Sequence, residues 1–225
     1  MKRILAAAIA AALLLSGCTS ASRPAESAPP TGTPSPSPTP VVTPTPEPEP
    51  ADGELVLVRD YIPGIFIDLK YATTDNFTGR VIYDSDEAYL RYGTVKKLLC
   101  AQNELSGRGL SLKIWDAYRP VSAQFKLWEI CPNPVYVSDP NNGYSKHSRA
   151  NTVDITLVTD TGKSIPMPSG FDDFTSLADR DYSDVSNEAA ENARLLENVM
   201  VENGFVPYSG EWWHYSDSVG YDVYG

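Results

Sequence analysis

Residues 145–158 read Ser145-Lys146-His147-Ser148-Arg149-Ala150-Asn151-Thr152-Val153-Asp154-Ile155-Thr156-Leu157-Val158, a polar loop that runs into an alternating strand. The apolar residues at 153, 155 and 157 recur with the period of a strand that buries one face. Asp154 must then point to the opposite face. We expect the side chains of Asp154 and of His147, on the preceding loop, to converge on one point.

Periodicity on either side of this strand predicts the remaining elements. We expect strands or extended segments at residues 55–58, 65–69, 110–115 and 211–215. Helices are expected to begin at a Thr94 cap, after Pro120 and after Ser186. The second helix would turn Val121, Phe125 and Trp128 to one side. The pattern predicts an α+β domain, in which helices pack on one side of a small, mainly antiparallel sheet.

Two segments precede this domain. Residues 1–17 combine basic Lys2 and Arg3 with an apolar run and end before Cys18, which is typical of a secretory signal peptide and resembles a bacterial lipobox. The apolar run is too short for a spanning helix of ~20 residues. Residues 18–52 are rich in Pro, Thr and Ser and predict a disordered linker. A single domain would then cover residues 53–225.

The lipobox pattern also predicts where the protein is found. It implies lipidation of Cys18 and attachment to the bacterial membrane outside the cytoplasm, through that anchor only. A plain signal peptide and a short membrane anchor are the alternatives.

Charge limits the class of partner. Removal of residues 1–17 leaves 16 basic against 29 acidic residues, a formal net charge of −13. This balance argues against nucleic acid and against an anionic membrane surface. A small or cationic substrate fits better, and the oligomeric state stays open.

Two cysteines lie within the domain. Cys100 falls on the apolar side of the first predicted helix, which favours buried thiols. An exported chain also permits a disulfide between Cys100 and Cys131, so both outcomes stay open.

The chain has only two histidines, and each lies close to a carboxylate in sequence. His147 precedes Asp154, and His214 belongs to the stretch Glu211-Trp212-Trp213-His214-Tyr215. Two imidazoles and one carboxylate leave one position on zinc open for water, as in catalytic sites. The sequence therefore predicts one Zn²⁺ ion bound by His147, Asp154 and His214.

Two further residues suit hydrolysis at such a centre. Glu211 lies near enough to His214 to take a proton from a metal-bound water and pass it to a leaving amine. Arg119 follows a strand end and precedes Pro120. Its guanidinium could stabilise the oxyanion formed at an attacked carbonyl, although a salt bridge at the helix start is the commoner role.

Several motifs in matching order resemble the zinc D-alanyl-D-alanine dipeptidases of the vancomycin-resistance type. The resemblance spans residues 55–215 and rests on five stretches, at residues 67–79, 116–120, 145–154, 167–174 and 211–215. It implies hydrolysis of D-Ala-D-Ala with Glu211 as general base and acid and with Arg119 at the scissile carbonyl. It also implies that Ser145, Asp172 and Tyr71 line the dipeptide pocket. Their ordinary roles would be a loop hydroxyl, a helix cap and a core aromatic residue.

The chain departs from the expected pattern at two positions. Ala150 stands where we expect Gly, and a positive φ there would strain it. Thr152 stands where we expect Ala, and it should share a face with Asp154. Neither change removes a metal ligand.

Two alternatives to a dipeptidase remain. One is a peptidoglycan D,D-carboxypeptidase that acts on stem peptides, which an extracytoplasmic location favours. The other is a cell-wall binding lipoprotein without catalytic activity, which the retention of Glu211 and of every ligand disfavours.

Overall fold

The computed structural model describes residues 48–225, and no helix among them is long and apolar enough to cross a membrane. The predicted signal peptide, Cys18 and nearly all of the predicted linker lie outside the described residues. The helices are α1 (Val58–Tyr61), α2 (Tyr92–Ser106), α3 (Val121–Ile130) and α4 (Asn187–Glu202). The strands are β1 (Leu55–Leu57), β2 (Phe66–Ile67), β3 (Tyr89–Arg91), β4 (Leu110–Asp116), β5 (Thr152–Thr159), β6 (Phe205–Tyr208) and β7 (Glu211–Asp217).

The main sheet has five strands in the order β2-β4-β5-β7-β6. Only β2 and β4 run parallel, and the other three pairings are antiparallel. Strands β1 and β3 form a separate antiparallel pair. The predicted α+β class and the mainly antiparallel sheet are confirmed.

The register of the sheet places three functional candidates in one row. Asp116 at the end of β4 lies opposite Asp154 on β5, and Asp154 lies opposite His214 on β7. Directly opposed residues in antiparallel strands have Cβ atoms about 5 Å apart and point to the same face. Residues distant in sequence therefore meet on one face of the sheet.

The opposite face of β5 belongs to the core, as the alternation predicted. Val153, Ile155 and Leu157 are buried there in one cluster with side chains of α2 and α4, such as Leu98 and Leu196. Burial of each such side chain contributes roughly 1.5–3 kcal/mol. The core thus fixes β5 and, with it, the direction of Asp154.

Helix α4 follows the prediction, whereas the start of α2 does not. Ser186 caps α4, and its hydroxyl accepts a hydrogen bond from the Ala189 N–H. Helix α2 begins at Tyr92, so Thr94 is not its cap. The buried Thr94 hydroxyl instead donates to Asp217, at 2.8 Å. This tertiary hydrogen bond replaces the expected local one.

Helix α3 buries a different face from the one predicted. Ala123, Gln124 and Leu127 are buried, whereas Phe125 is 39% exposed. Gln124 is buried because its amide donates to the Ser138 carbonyl and accepts from Arg119. The polar contact, rather than the apolar periodicity, sets the orientation of α3.

Both cysteines of the domain are free thiols in the structure. The expectation that Cys100 would be buried was wrong, because it lies on the exposed side of α2. Cys131 is partly buried.

The C-terminal segment, residues 218–225, lies against the turn that carries His147. The Tyr224 N–H donates to the Ser148 carbonyl, and the Arg149 guanidinium donates to the Tyr221 carbonyl. Arg91 joins the two ends of the domain, since its Nη1 donates to the Gly53 carbonyl at 2.7 Å and its Nη2 to the Asp222 carbonyl at 2.8 Å.

Candidate active site

His147 is held by a short 3-10 turn, Lys146–Arg149, that precedes β5. The Ser145 hydroxyl caps this turn and accepts a hydrogen bond from the His147 N–H at 3.3 Å. The imidazole Nδ1 lies 2.9 Å from the Ala117 carbonyl. Because a carbonyl can only accept, Nδ1 carries the proton and Nε2 is left with a free lone pair.

The predicted zinc ligands come together as expected. His147 Nε2 lies 3.3 Å from Asp154 Oδ2 and 3.4 Å from His214 Nδ1. His214 Nδ1 lies 2.9 Å from Asp154 Oδ1. Tetrahedral zinc with bonds of ~2.05 Å needs ligand atoms about 3.3 Å apart. The three buried side chains therefore fit a zinc ion without rearrangement of the backbone.

Mutual electrostatics suit Asp154 and His214 to a metal. Burial opposes charge on every one of them, but the two imidazoles hold the pKa of Asp154 far below its usual range. Burial lowers the pKa of His214. An ionised carboxylate beside a neutral imidazole is the state that binds zinc.

Glu211 lies at the start of β7 beside this cluster. Its Oε2 is 3.5 Å from His214 Nδ1, and its side chain is 33% exposed. Burial, together with the charges of Asp154 and Asp172, raises the pKa of Glu211 to about 7. A carboxyl group with such a pKa can accept and release a proton near neutral pH.

Arg119 is buried and held by Asp116 from the end of β4. Its Nε and Nη2 donate to Asp116 Oδ2 at 3.1 and 2.6 Å, and its Nη1 donates to Gln124. Three of the five guanidinium N–H groups are thus used to fix the side chain. Arg119 therefore forms the salt bridge that is the commoner role of such an arginine, here with Asp116. Two of its N–H donors remain available for another partner.

Asp116, for which the sequence predicted no role, connects several parts of the site. Besides Arg119, it accepts a hydrogen bond from the buried Tyr83 hydroxyl at 2.5 Å and from the Ala117 N–H at 2.9 Å. Its position three residues before Arg119, at the end of a predicted strand, was the available signal. The cross-strand neighbour Asp154 became visible only with the register.

Asp172 and Tyr71 meet at a second edge of the site. The Tyr71 hydroxyl donates to Asp172 at 2.7 Å, and the Arg119 guanidinium lies over the Tyr71 ring, 5.1 Å from its centroid. Burial is the main cause that raises the pKa of Asp172 to about 7. Tyr71 itself is almost fully buried, so its hydroxyl orients Asp172, and Asp172 is not a helix cap.

Two cavities, each of about 240 Å³, meet at Glu211. The first also exposes Ser145, Lys146 and His214, and the second exposes Asp173 and Trp213; Val135, Tyr136 and Tyr208 line both. Each volume falls below the ~300 Å³ at which pockets for drug-sized ligands begin. The space beside the metal cluster suits a small ligand.

The two positions that depart from the expected pattern, Ala150 and Thr152, are accommodated in different ways. Ala150 has φ 57° and therefore adopts the left-handed conformation that strains a residue with a Cβ atom. Thr152 is buried opposite Ser216, and its hydroxyl lies 3.1 Å from the Ser216 hydroxyl. Neither side chain displaces a predicted zinc ligand.

Comparisons with known proteins agree in one description. A family model described as D-ala-D-ala dipeptidase, peptidase M15, matches residues 51–221. A D-alanyl-D-alanine dipeptidase of Escherichia coli (strain K12) is 39% identical over 162 residues, which are 72% of this chain and 83% of that one. The enzyme of that name from Enterococcus faecium is 35% identical over 176 residues, 69% of this chain and 87% of that one.

A solved structure titled "VanYB in complex with D-Alanine-D-Alanine" is more distant. It has 17% sequence identity and a TM-score of 0.41, and the match covers 59% of this chain and 74% of that chain.

Proposed function

The chain belongs to the peptidase M15 family of D-Ala-D-Ala dipeptidases, and we propose that it hydrolyses D-alanyl-D-alanine with one zinc ion. The observation that carries this proposal is the cluster of His147, Asp154 and His214, whose ligand atoms all lie within 4.8 Å of one another. Glu211 borders that cluster. A carboxyl group able to move protons therefore stands beside a metal-binding set with room for water.

Zinc held by these three side chains would act as a Lewis acid and lower the pKa of a bound water to ~7. We assign the proton movements to Glu211. Its carboxylate takes the proton of the attacking water and delivers it to the nitrogen of the leaving D-alanine. A pKa of about 7 in the metal-free site suits both steps.

Arg119 is the group that we assign to the scissile carbonyl. Its two remaining N–H donors can bind the oxygen on which negative charge develops. Asp116 holds the guanidinium in place beforehand, so little reorganisation is needed during the reaction. Removal of one such donor typically costs 10²–10³-fold in rate.

Asp172 is the group that we assign to the ammonium end of the dipeptide, and Tyr71 and Ser145 are the other two residues that we assign to the dipeptide pocket. Asp172 is partly buried and oriented by Tyr71. An ammonium ion nearby would favour the ionised carboxylate and so lower its raised pKa. This pairing gives a reason for a free amino terminus in the substrate.

Hydrolysis by the Glu211→Gln protein tests the mechanism. The amide keeps the size of the side chain but cannot take a proton, so kcat should fall about 10³-fold or more while zinc remains bound. Zinc content by atomic absorption and D-alanine release measure the two properties. Full activity of a zinc-loaded Glu211→Gln protein would show that another residue is the base.

A D,D-carboxypeptidase that acts on stem peptides is the second candidate, and the predicted extracytoplasmic location favours it. Comparison of free D-Ala-D-Ala with an N-acylated tripeptide that ends in D-Ala-D-Ala separates the two. A dipeptidase should prefer the free dipeptide strongly, because acylation removes the ammonium that Asp172 binds. Cleavage of the acylated peptide alone would identify a carboxypeptidase.

We also propose that the protein is a lipoprotein attached through Cys18. This proposal rests on the residues before Cys18, which lie outside the described residues. Metabolic labelling with palmitate should mark the parent protein and not the Cys18→Ala variant. Equal labelling of the two proteins would contradict it.

A further inference from the structure

We propose that Lys146 binds the C-terminal carboxylate of the substrate, an inference that rests on the proposed dipeptidase function. A free dipeptide is a zwitterion, and Asp172 accounts for only its positive end. The site must also compensate a carboxylate next to the bond that breaks. A cation beside the zinc cluster would do so.

Lys146 is placed to be that cation. Of the described residues that line the two cavities at Glu211, it is the one lysine or arginine. It shares its cavity with Ser145, His214 and Glu211. The turn that fixes His147 therefore also fixes the backbone of Lys146.

The ammonium of Lys146 has no partner among residues 48–225. Five of the seven lysines in that part of the chain pair with a carboxylate: Lys70, Lys96, Lys97, Lys113 and Lys126. Only Lys146 and Lys163 do not. Lys146 is exposed at the edge of an acidic site. In a chain with a formal net charge of −11, its unpaired ammonium is available for an anionic ligand.

Arg119 is not free for this role, because Asp116 and Gln124 hold its guanidinium and we assign its two remaining donors to the scissile carbonyl. Lys146 also lines a neighbouring cavity with Arg149 and Asp217. There the carboxylate of Asp217 is already paired with Lys97 at 2.5 Å, and Arg149 repels a second cation. Electrostatics thus favour the side of Glu211 for the Lys146 ammonium.

The test compares D-Ala-D-Ala with its C-terminal amide, which keeps the ammonium and the scissile bond but lacks the carboxylate. The parent protein should prefer the acid. In Lys146→Ala, KM for the acid should rise about 10-fold or more with little change in kcat, as expected for a lost charge-assisted contact. KM for the amide should stay the same.

Matched variants separate local from general effects. Lys163→Ala removes the same charge from an exposed turn and should behave as the parent. Lys146→Arg should restore part of the preference for the acid. Zinc content of each variant shows whether the His147 turn is intact. A Lys146→Ala protein with normal zinc and the parental ratio of acid to amide would overturn the proposal.

Binding measurements keep this inference distinct from the proposed function. In zinc-loaded Glu211→Gln protein, calorimetry should give a Kd for the acid that rises about 10-fold or more when Lys146→Ala is added. If the parent hydrolyses neither compound, the dipeptidase proposal fails, while this binding difference still supports Lys146 as the carboxylate site. If the Glu211→Gln protein binds the acid and the amide equally well, the role proposed for Lys146 is wrong, whereas the dipeptidase proposal is unaffected.

Discussion

Asp172 lowers the stability of the fold in two ways, through its backbone conformation and through the burial of its carboxyl group. Its backbone adopts φ 53°, which is uncommon for a residue other than glycine, and its carboxyl group is buried enough to raise its pKa to about 7. Strained and electrostatically costly residues concentrate at functional sites. Stability and binding should therefore oppose each other at this position.

Replacement of Asp172 by Asn should stabilise the metal-free protein above pH 7. Asn tolerates the left-handed conformation and can still accept the Tyr71 hydrogen bond, but it cannot ionise. The pKa rises from 3.8 to about 7 on folding, so the gain should be on the order of 2–3 kcal/mol at pH 8 after allowance for partial exposure. Urea unfolding measures it.

The sign of the pH dependence follows from the raised pKa. The stability of the parent is complete below pH 3.8, where Asp172 is protonated in both states, and it is lost as the pH rises through about 7. The difference from Asp172→Asn should thus grow between pH 4 and pH 7. Asp160→Asn, at an exposed carboxylate, should match the parent throughout. A constant difference for Asp172→Asn would contradict the assignment.

At the scale of elements, the turn between His147 and β5 carries a comparable strain. Ala150 ends the turn with φ 57° and ψ 28°, and its N–H donates to the His147 carbonyl at 3.0 Å. A left-handed residue with a Cβ costs roughly 1–2 kcal/mol. This conformational cost is accepted because the turn brings His147 back over β5.

Ala150→Gly should therefore stabilise the protein by about 0.5–1 kcal/mol, after the loss of a buried methyl group. The matched control is Ala193→Gly in α4, which also removes a buried methyl group but in right-handed helix. That change should destabilise by roughly 1 kcal/mol or more. Thermal unfolding measures both, and the same sign for the two changes would refute strain at Ala150.

The sequence-based predictions succeeded where the interactions that determine an element lie within one segment of the chain. Helix α4 and strand β5 followed from periodicity and a Ser186 cap, all within one segment. The start of α2 and the face of α3 did not, because Thr94 and Gln124 make their hydrogen bonds with distant residues. Strand β3 went unpredicted since its partner β1 is short and remote in sequence.

At the scale of the whole molecule, the site was predictable as a set of residues but not as an arrangement. Motif order gave His147, Asp154, His214, Glu211 and Arg119. Asp116 gained its role only through the register that aligns it with Asp154, which no local pattern specifies.

Zinc should stabilise the entire domain, because its ligands come from three separate segments. At free zinc 100 times the Kd, the gain should be about 2.7 kcal/mol. It should fall as the pH drops through the pKa of His147, because a protonated imidazole cannot bind zinc; burial lowers that pKa, but Asp154 and Asp116 outweigh burial and raise it above its ordinary value. Calorimetry with and without a chelator at pH 8 and pH 5.5 measures it.

The zinc effect should vanish in His147→Ala at both pH values. Stabilisation of that variant as large as that of the parent would mean that zinc binds elsewhere. The metal-free parent serves as the reference at each pH.

Arg91 has a consequence for the topology of the chain, because one guanidinium binds both Gly53 and Asp222. Domain boundaries that lie this close to each other favour circular permutation of the domain. A short loop could join them, and the exposed turn around Asp160 offers new ends away from the zinc ligands. In such a permuted domain, the C-terminal segment near Asp222 would be joined covalently to the segment near Gly53, and the residues of the candidate active site would keep their arrangement.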